Sequence, residues 1–358
     1  MAKEKSGNIL VLGNGFDLYH GMATKYYDFV EFTEEQMDRA LPIYEDSLII
    51  KRLRKDMEED RREEEEVVRI CKRNPFLKYF RKIKKEGKLW IDCEKELAEV
   101  VSVISRLLNS KININTEFSF IGNDLQIIDA FPDYFLSSGH NKPYRFSLKF
   151  ESIQGIVDKD KLLLDVKKDL DEVIVALRRY LQEVYEFSPT EVSPQIEGIQ
   201  FDYVINFNYT TTIEEYGIAR EKISYIHGCL KSNPIDMVLG IADYEEDDLN
   251  FIYFKKYFQR IQKKLGVLDY GKFARFDNVG HKLGKEAKCV FFFGHSMSKN
   301  DEDLIEDIFL RTKKVVVFYY DQFDYEQKII NLIEIFGKTE VLKWVRDEFI
   351  VMTKMEGV

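Results

Sequence analysis

Asn8-Ile9-Leu10-Val11-Leu12 runs directly into Gly13-Asn14-Gly15 near the start of the chain. A short apolar run that stops at a glycine turn is typical of a β-strand buried on both faces. Four more strand-sized apolar runs follow much later, at residues 201–207, 223–226, 289–293 and 315–319. Helical patterns near residues 247–264 and 301–310 separate the last three of them. The opening stretch therefore predicts the first strand of a sheet that the chain completes only after a long interruption.

Strands that alternate with helices predict an α/β fold in which helices cover both faces of a parallel sheet. Between the first strand and the others, apolar residues recur at helical spacing, as in Leu97, Val100, Val101, Ile104, Leu107 and Leu108. We therefore predict a Rossmann-like core built from residues 1–33 and 198–358, with residues 34–197 as a large helical insertion. We expect this insertion to pack as a lid beside the glycine turn.

The composition limits the classes of function. With 358 residues, 45% of them hydrophobic, the chain can form a large core. Its net charge of −10 disfavours a general polyanion-binding surface. The polar first five residues and the short apolar runs predict neither a signal peptide nor a membrane span. The four cysteines form no CxxC pair and no zinc spacing with the five histidines. We therefore expect reduced thiols, no metal and a cytoplasmic location.

The first polar cluster comprises Gly13, Asn14, Gly15 and Asp17. Glycines after a buried strand let the backbone amides approach a phosphate or a ribose. The third glycine of a dinucleotide fingerprint would fall at Leu18, so the motif is incomplete. A tight turn in which Asp17 caps a neighbouring backbone segment explains the same residues.

The second polar cluster, Ile205-Asn206-Phe207-Asn208-Tyr209-Thr210-Thr211-Thr212, follows another apolar strand. Its asparagines and threonines can orient a water molecule or hold ribose hydroxyls without carrying charge. The alternative is an Asx-turn with a threonine that caps the next helix.

Two further clusters contain histidines. His227 precedes Gly228 at a strand end, and its ordinary pKa near 6.5 suits a general base, although lone histidines are more often structural. Gly294-His295-Ser296 ends another strand, where Asn300 or Asp301 can cap the following helix. Since ligands of parallel sheets bind at the carboxyl ends of the strands, the four clusters together predict one site there.

The motifs resemble those of a known family. Gly13-Asn14-Gly15-Phe16-Asp17-Leu18-x-His20-Gly21, with Thr24-x-Tyr26-x-Asp28-Phe29 after it, resembles the opening signature of the bacteriophage abortive-infection family AbiH. The remaining motifs fit the same family in order: Trp90-x-Asp92-x-Glu94, Asn206-Phe207-Asn208-Tyr209-Thr210, His227-Gly228 and Gly294-His295-Ser296 with Asp301. The resemblance implies a role in antiphage defence.

That family is in turn similar to sirtuin-like, NAD-hydrolysing effectors of antiphage defence. The similarity implies that Asn208 positions a water molecule or a ribose hydroxyl and that His227 accepts a proton. It also implies a sirtuin-like core whose nucleotide site is lined by Gly13, Asn14, Gly15, Asp17, Asn206, Thr210, Gly294, His295 and Ser296. Glu94 or Asp17 would stabilise the oxocarbenium-like cation that forms when the nicotinamide–ribose bond breaks.

Three functions follow from these patterns. The leading hypothesis is an abortive-infection effector that binds NAD or another nucleotide and hydrolyses it without a cofactor. The second is a non-catalytic module that binds a nucleotide or signal and triggers a partner. The third is a nucleic-acid-acting toxin that makes contact through a basic strip of Lys78, Arg81, Lys82, Lys84, Lys85 and Lys88. We rank it last because charged helix faces are usually only solvated. A phage-derived or host trigger and a homo-oligomeric state stay open.

Overall fold

A computed structural model describes residues 7–39, 55–87, 91–108, 112–137, 143–186, 193–231, 236–242, 249–265 and 287–355. The chain divides into two compact units. The first, here called the sheet unit, comprises Met1–Lys25, Leu181–Asp247 and Lys255–Val358. The second, the helical unit, comprises Tyr26–Tyr180 and Asp248–Phe254.

The described part of the chain contains eight strands and eleven α-helices. The strands are β1 Asn8–Leu12, β2 Phe135–Ser137, β3 Tyr144–Phe146, β4 Tyr203–Asn206, β5 Ile223–Tyr225, β6 Cys289–Phe293, β7 Val315–Tyr319 and β8 Ile350–Lys354. The helices are α1 Asn14–Tyr19, α2 Tyr26–Asp38, α3 Lys55–Arg73, α4 Pro75–Lys85, α5 Cys93–Leu108, α6 Gly122–Ala130, α7 Lys159–Glu186, α8 Lys256–Gln262, α9 Glu302–Leu310, α10 Gln322–Phe336 and α11 Lys338–Arg346. The predicted α/β class is confirmed.

The sheet unit is organised by a six-stranded parallel sheet in the order β5-β4-β1-β6-β7-β8. The last residue of β1, Leu12, pairs with Asn206 at the end of β4 and with Phe293 at the end of β6. Asn206 pairs in turn with Tyr225, the last residue of β5. The carboxyl ends of these four strands therefore lie side by side, and the polar clusters that follow them begin at the same edge.

Side chains of β1 alternate between two apolar cores, because neighbouring residues of a strand point to opposite faces. Ile9 and Val11 pack into a core that contains Ile305 of α9 and Leu332 of α10. Leu10 and Leu12 pack into the other core, which contains Phe16 of α1. The sheet is thus covered on both faces, which explains why its central strands are apolar without alternation.

The helical unit contains α2 to α6, the β2–β3 hairpin and most of α7. Helix α4 begins at Pro75 because Asn74 caps it: the Asn74 side-chain oxygen accepts from the amides of Phe76 and Leu77. In α5, five of the six apolar residues of the predicted stripe are buried, as a helix packed on a core requires. Helices α3 to α7 lie within residues 34–197, and the lid role of this segment stays a prediction. No described helix is long and apolar enough to cross a membrane.

Candidate functional site

The glycine turn after β1 packs tightly against the turn after β6. A Cβ atom on Gly13 would lie 2.5 Å from the Cα of His295, and one on Gly15 would lie 2.7 Å from the Cα of Gly294. The amide of Gly13 donates to Phe293, and the amide of Gly15 donates to the Gly294 carbonyl at 2.8 Å. The two glycines are therefore needed for close backbone packing, and their contact with a nucleotide stays a prediction.

Two residues of the predicted nucleotide site lie outside the buried clusters. Asn14 is exposed, and its side chain exchanges hydrogen bonds with Thr24, donating to the carbonyl oxygen and accepting from the hydroxyl. Ser296 is also exposed, and its carbonyl accepts from the side chain of Asn331. Both are placed at the surface of the turns that follow β1 and β6.

Asp17 is the centre of one buried polar cluster. Its carboxylate accepts hydrogen bonds from the hydroxyl of Thr210 at 2.7 Å and from that of Thr212 at 3.0 Å. Burial raises the pKa of Asp17 to about 6, against the lowering effect of hydrogen bonds from Thr210, Thr212 and Asn208. Thr210 and Thr212 thus bind a carboxylate. Thr211 precedes the following 3₁₀ helix, but its side chain does not cap that helix.

Asn206 and Asn208 shape the turn that carries these threonines. The side-chain oxygen of Asn206 accepts from the amide of Asn208 at 2.9 Å, which is the Asx-turn anticipated as the alternative interpretation. The Asn206 side chain also donates to the Thr210 carbonyl. Asn208 donates to the carbonyl of Gly13 at 3.0 Å, so the turn is fastened to the end of β1. The structure therefore brings together Gly13, Asp17 and the segment after β4.

His227 lies in a second buried cluster, beside the first. Its Nδ1 lies 3.2 Å from the carbonyl of Phe207, so Nδ1 carries the proton and donates it. The pKa of His227 is lowered to about 4, mainly by burial and then by the charge of Lys256, so the ring is neutral near pH 7. Nε2 is buried, has no hydrogen-bond partner within the described part of the chain and lies 3.5 Å from Oδ1 of Asp301. An unprotonated, unoccupied nitrogen of this kind can accept a proton.

Asp301 links the two histidines of this cluster. Its Oδ1 accepts from the buried ammonium of Lys256 at 3.0 Å, and its Oδ2 lies 3.8 Å from Nε2 of His295. Burial alone would raise the pKa of Asp301, but Lys256 and His227 hold it well below its usual range. Asp301 precedes α9 yet forms no side-chain cap, so the capping interpretation was wrong for Asp301: its carboxylate turns toward Lys256 instead.

His295 has a different hydrogen-bonding state from that of His227. Its Nδ1 accepts from the amide of Met297 at 2.9 Å, so Nε2 carries the proton. Burial lowers the pKa of His295 to about 4. The ring of Phe207 stands 4.4 Å from the ring of His295 and 5.5 Å from that of His227. His295 is thus fixed by the backbone, and His227 is the imidazole with a free nitrogen.

Lys256 is the member of the cluster that sequence reasoning missed. A lysine in a helix with other charges nearby is normally solvated, so its position gives no signal of burial. The segment 254–260 places charged and aromatic residues next to one another, and the carboxylate of Asp301 gives the buried ammonium of Lys256 a charged partner. None of the described residues form a group of His, Cys, Asp or Glu that could hold a metal ion.

The remaining candidates lie in the helical unit. Arg81 of the basic strip is buried and donates to the Cys71 carbonyl and the Thr33 hydroxyl, so it is a structural residue. Lys84 pairs with Glu34 at 2.8 Å. Glu94 lies in the first turn of α5. Trp90 and Lys88 lie outside the described residues.

The fold and the two polar clusters define an α/β protein whose candidate site lies at the carboxyl edge of a parallel sheet. A family model described as bacteriophage abortive infection AbiH matches residues 9–321. The chain belongs to this family, which implies a role in phage abortive infection. Comparison with curated proteins and with solved structures gives no match.

Proposed function

We propose that this protein acts in abortive infection by hydrolysing a nucleotide such as NAD at the nicotinamide–ribose bond, with His227 as the general base. The observation that carries the proposal is the state of this residue. It is a neutral imidazole with one nitrogen bonded to a backbone carbonyl and the other buried and unoccupied. Such a group is unprotonated at neutral pH, and it can accept a proton from water as the neighbouring carboxylate stabilises the imidazolium.

The strand order supports a nucleotide as the substrate. Counted along the chain, the six strands of the sheet lie in the order third, second, first, fourth, fifth, sixth. That is the order of Rossmann-like, doubly wound folds, which bind dinucleotides at the carboxyl edge where the strand order reverses. Here the reversal falls between β1 and β6, whose ends carry Gly13 and His295. A sirtuin-like core is one form of this architecture.

The chemical step follows from the nature of the bond. The bond from C1′ of the ribose to the pyridinium nitrogen breaks, and nicotinamide leaves with the bonding electrons as a neutral molecule. A water oxygen bonds to C1′, and the water proton passes to Nε2 of His227. Asp17 or Asp301 lowers the energy of the cationic transition state by its charge. Asn208 holds the turn through Gly13 and positions the attacking water.

One observation favours the second candidate function, a non-catalytic nucleotide- or signal-binding module. The polar groups of Asp17, Asn206, Thr210 and Thr212 bond mainly to one another, and the amides of Gly13 and Gly15 donate within the protein. A site of this kind would recognise a ligand and pass the signal to a partner when a phage-derived or host trigger arrives.

The two candidates differ in whether products form. Purified protein is incubated with NAD, ATP and RNA, and the products are resolved by chromatography. Release of nicotinamide from NAD supports the hydrolase. Binding of NAD without products, measured by calorimetry on the same sample, supports the non-catalytic module. If none of the three substrates binds and none yields products, the nucleotide proposal is contradicted.

A further inference from the structure

A cavity of about 370 Å³ lies in the sheet unit beside α8 and α9. Its charged lining residues are Lys256, Arg260, Lys299, Glu302, Asp303 and Glu306. Lys256 and Arg260 are only 3% and 1% exposed, whereas Asp303 and Glu306 are exposed at the surface. The cavity therefore has a cationic floor, and its exposed rim carries Asp303 and Glu306 together with Lys299.

Arg260 has hydrogen-bonding capacity that the described residues leave unused. Its Nη2 donates to the carboxylate of Asp303. Nε and Nη1 are buried and have no hydrogen-bond partner among the described residues. These two nitrogens carry three N–H donors. Because buried donors in folded proteins are nearly always satisfied, the guanidinium indicates an acceptor that is not among the described residues, such as a bound anion.

The burial of the cations and the exposure of the carboxylates favour an anion as the ligand of this cavity. Exposed carboxylates at the rim are screened by water and salt. The cations of the floor act in less polar surroundings, where their attraction for a negative group is stronger. Arginine with a neighbouring lysine is the combination that binds phosphate oxygens through charge-assisted hydrogen bonds.

The cavity is connected to the proposed base by one shared carboxylate. Lys256 lines the cavity and donates to Oδ1 of Asp301, and the same oxygen lies 3.5 Å from Nε2 of His227. The amides of Gly13 and Gly15 already donate to the carbonyls of Phe293 and Gly294, so a phosphate needs donors other than these two. We propose that Arg260 and Lys256 form the phosphate subsite of the nucleotide. The identity of the nucleotide rests on the proposed function.

The test is titration calorimetry of the full chain with inorganic pyrophosphate. We expect the wild type to bind it and Arg260→Gln to weaken its affinity at least tenfold. Arg311→Gln is the matched control, since Arg311 pairs with Asp307 on α9 and does not line the cavity. It should keep the wild-type affinity. Absence of pyrophosphate binding by the wild type, or equal affinity in folded Arg260→Gln, would overturn the subsite.

A second variant covers the case in which Arg260→Gln does not fold. Asp303→Asn removes the carboxylate that competes for the guanidinium, and it should tighten pyrophosphate binding several-fold. Unfolding cannot produce such a gain, and unchanged or weaker binding would contradict the subsite. NAD turnover measured on the same proteins separates the two proposals. Pyrophosphate binding without turnover refutes only hydrolysis, whereas turnover with unchanged pyrophosphate affinity in Arg260→Gln refutes only the subsite.

Discussion

Nε2 of His227 and Oδ1 of Asp301 lie 3.5 Å apart, and both side chains are at least nine-tenths buried. This distance exceeds a normal hydrogen bond, so the nitrogen is unoccupied while a carboxylate stands next to it. Once His227 accepts a proton, the adjacent charge stabilises the imidazolium. The arrangement thus holds a neutral base beside the group that favours its protonated form during a reaction.

Asp17 organises the turn after β4 through both its charge and its hydrogen bonds. Two replacements of Asp17 distinguish the effects of these two properties on stability. Asp17→Asn keeps a polar side chain for Thr210 and Thr212 and removes a buried charge. We expect its free energy of unfolding at pH 7.5 to equal or exceed that of the wild type. Asp17→Ala leaves both hydroxyls without their acceptor and should lose about 1–3 kcal/mol. Urea unfolding measures both, and equal loss in the two variants would contradict this role.

The buried histidines and Asp17 have opposite effects on acid stability. His227 and His295 have folded pKa values of about 4, below the ordinary 6.5, so their contribution to stability is lost as pH falls from 6.5 to 4. The folded pKa of Asp17, about 6, lies above the ordinary 3.8, so its burial penalty is relieved as pH falls through 6.

We therefore expect Asp17→Asn to lose stability on acidification more steeply than the wild type. The difference approaches about 1.4 kcal/mol per pH unit between pH 6 and 4, which is the effect of one proton. His295→Gln should show a shallower loss than the wild type. Urea unfolding at pH 4.5, 5.5 and 6.5 gives the slopes, and identical slopes in all three proteins would show that these groups are not perturbed.

Gly294 holds the turn after β6 against the turn after β1. Its φ is +67°, and a Cβ atom there would lie 2.1 Å from the amide nitrogen of Phe16. Gly217 has a φ of +69° but open space around it, so it is the matched control. We expect Gly217→Ala to cost about 1–2 kcal/mol, the strain of the left-handed backbone alone. Gly294→Ala should unfold the sheet unit or cost far more, as thermal denaturation would show.

Much of the sheet could be predicted because buried parallel strands are continuous apolar runs. Residues 289–293 and 315–319 match β6 and β7 residue for residue. Strand β8, at the edge of the sheet and only partly buried, was missed because its apolar run from Phe349 to Met352 is short and the strand ends in the polar pair Thr353-Lys354. Of the site, the polar residues after the strands were found, whereas Lys256 and Arg260 were not. Their burial depends on tertiary partners that no local pattern encodes.

Arg81 and Lys84 of the basic strip serve the fold. Arg81 is buried against Thr33 and Cys71, so Arg81→Met should lower the free energy of unfolding by about 1–3 kcal/mol through their lost hydrogen bonds. Lys78→Gln and Lys85→Gln, at positions with no assigned role, should leave the free energy of unfolding unchanged and any turnover within a few-fold of the wild type. Binding of RNA that depends on Lys78 and Lys85 would show instead that the strip is a nucleic-acid surface.

The most direct measurement is the rate of nicotinamide release from NAD by the wild type, His227→Gln and His295→Gln, with thermal denaturation as the check of folding. We expect His227→Gln to fold and to release nicotinamide roughly 10²–10⁴-fold more slowly, the usual contribution of a general base. His295→Gln should lose much less activity, because the unprotonated nitrogen of His295 already accepts a hydrogen bond from the amide of Met297. Equal rates of nicotinamide release in folded His227→Gln and the wild type would show that His227 is not the general base.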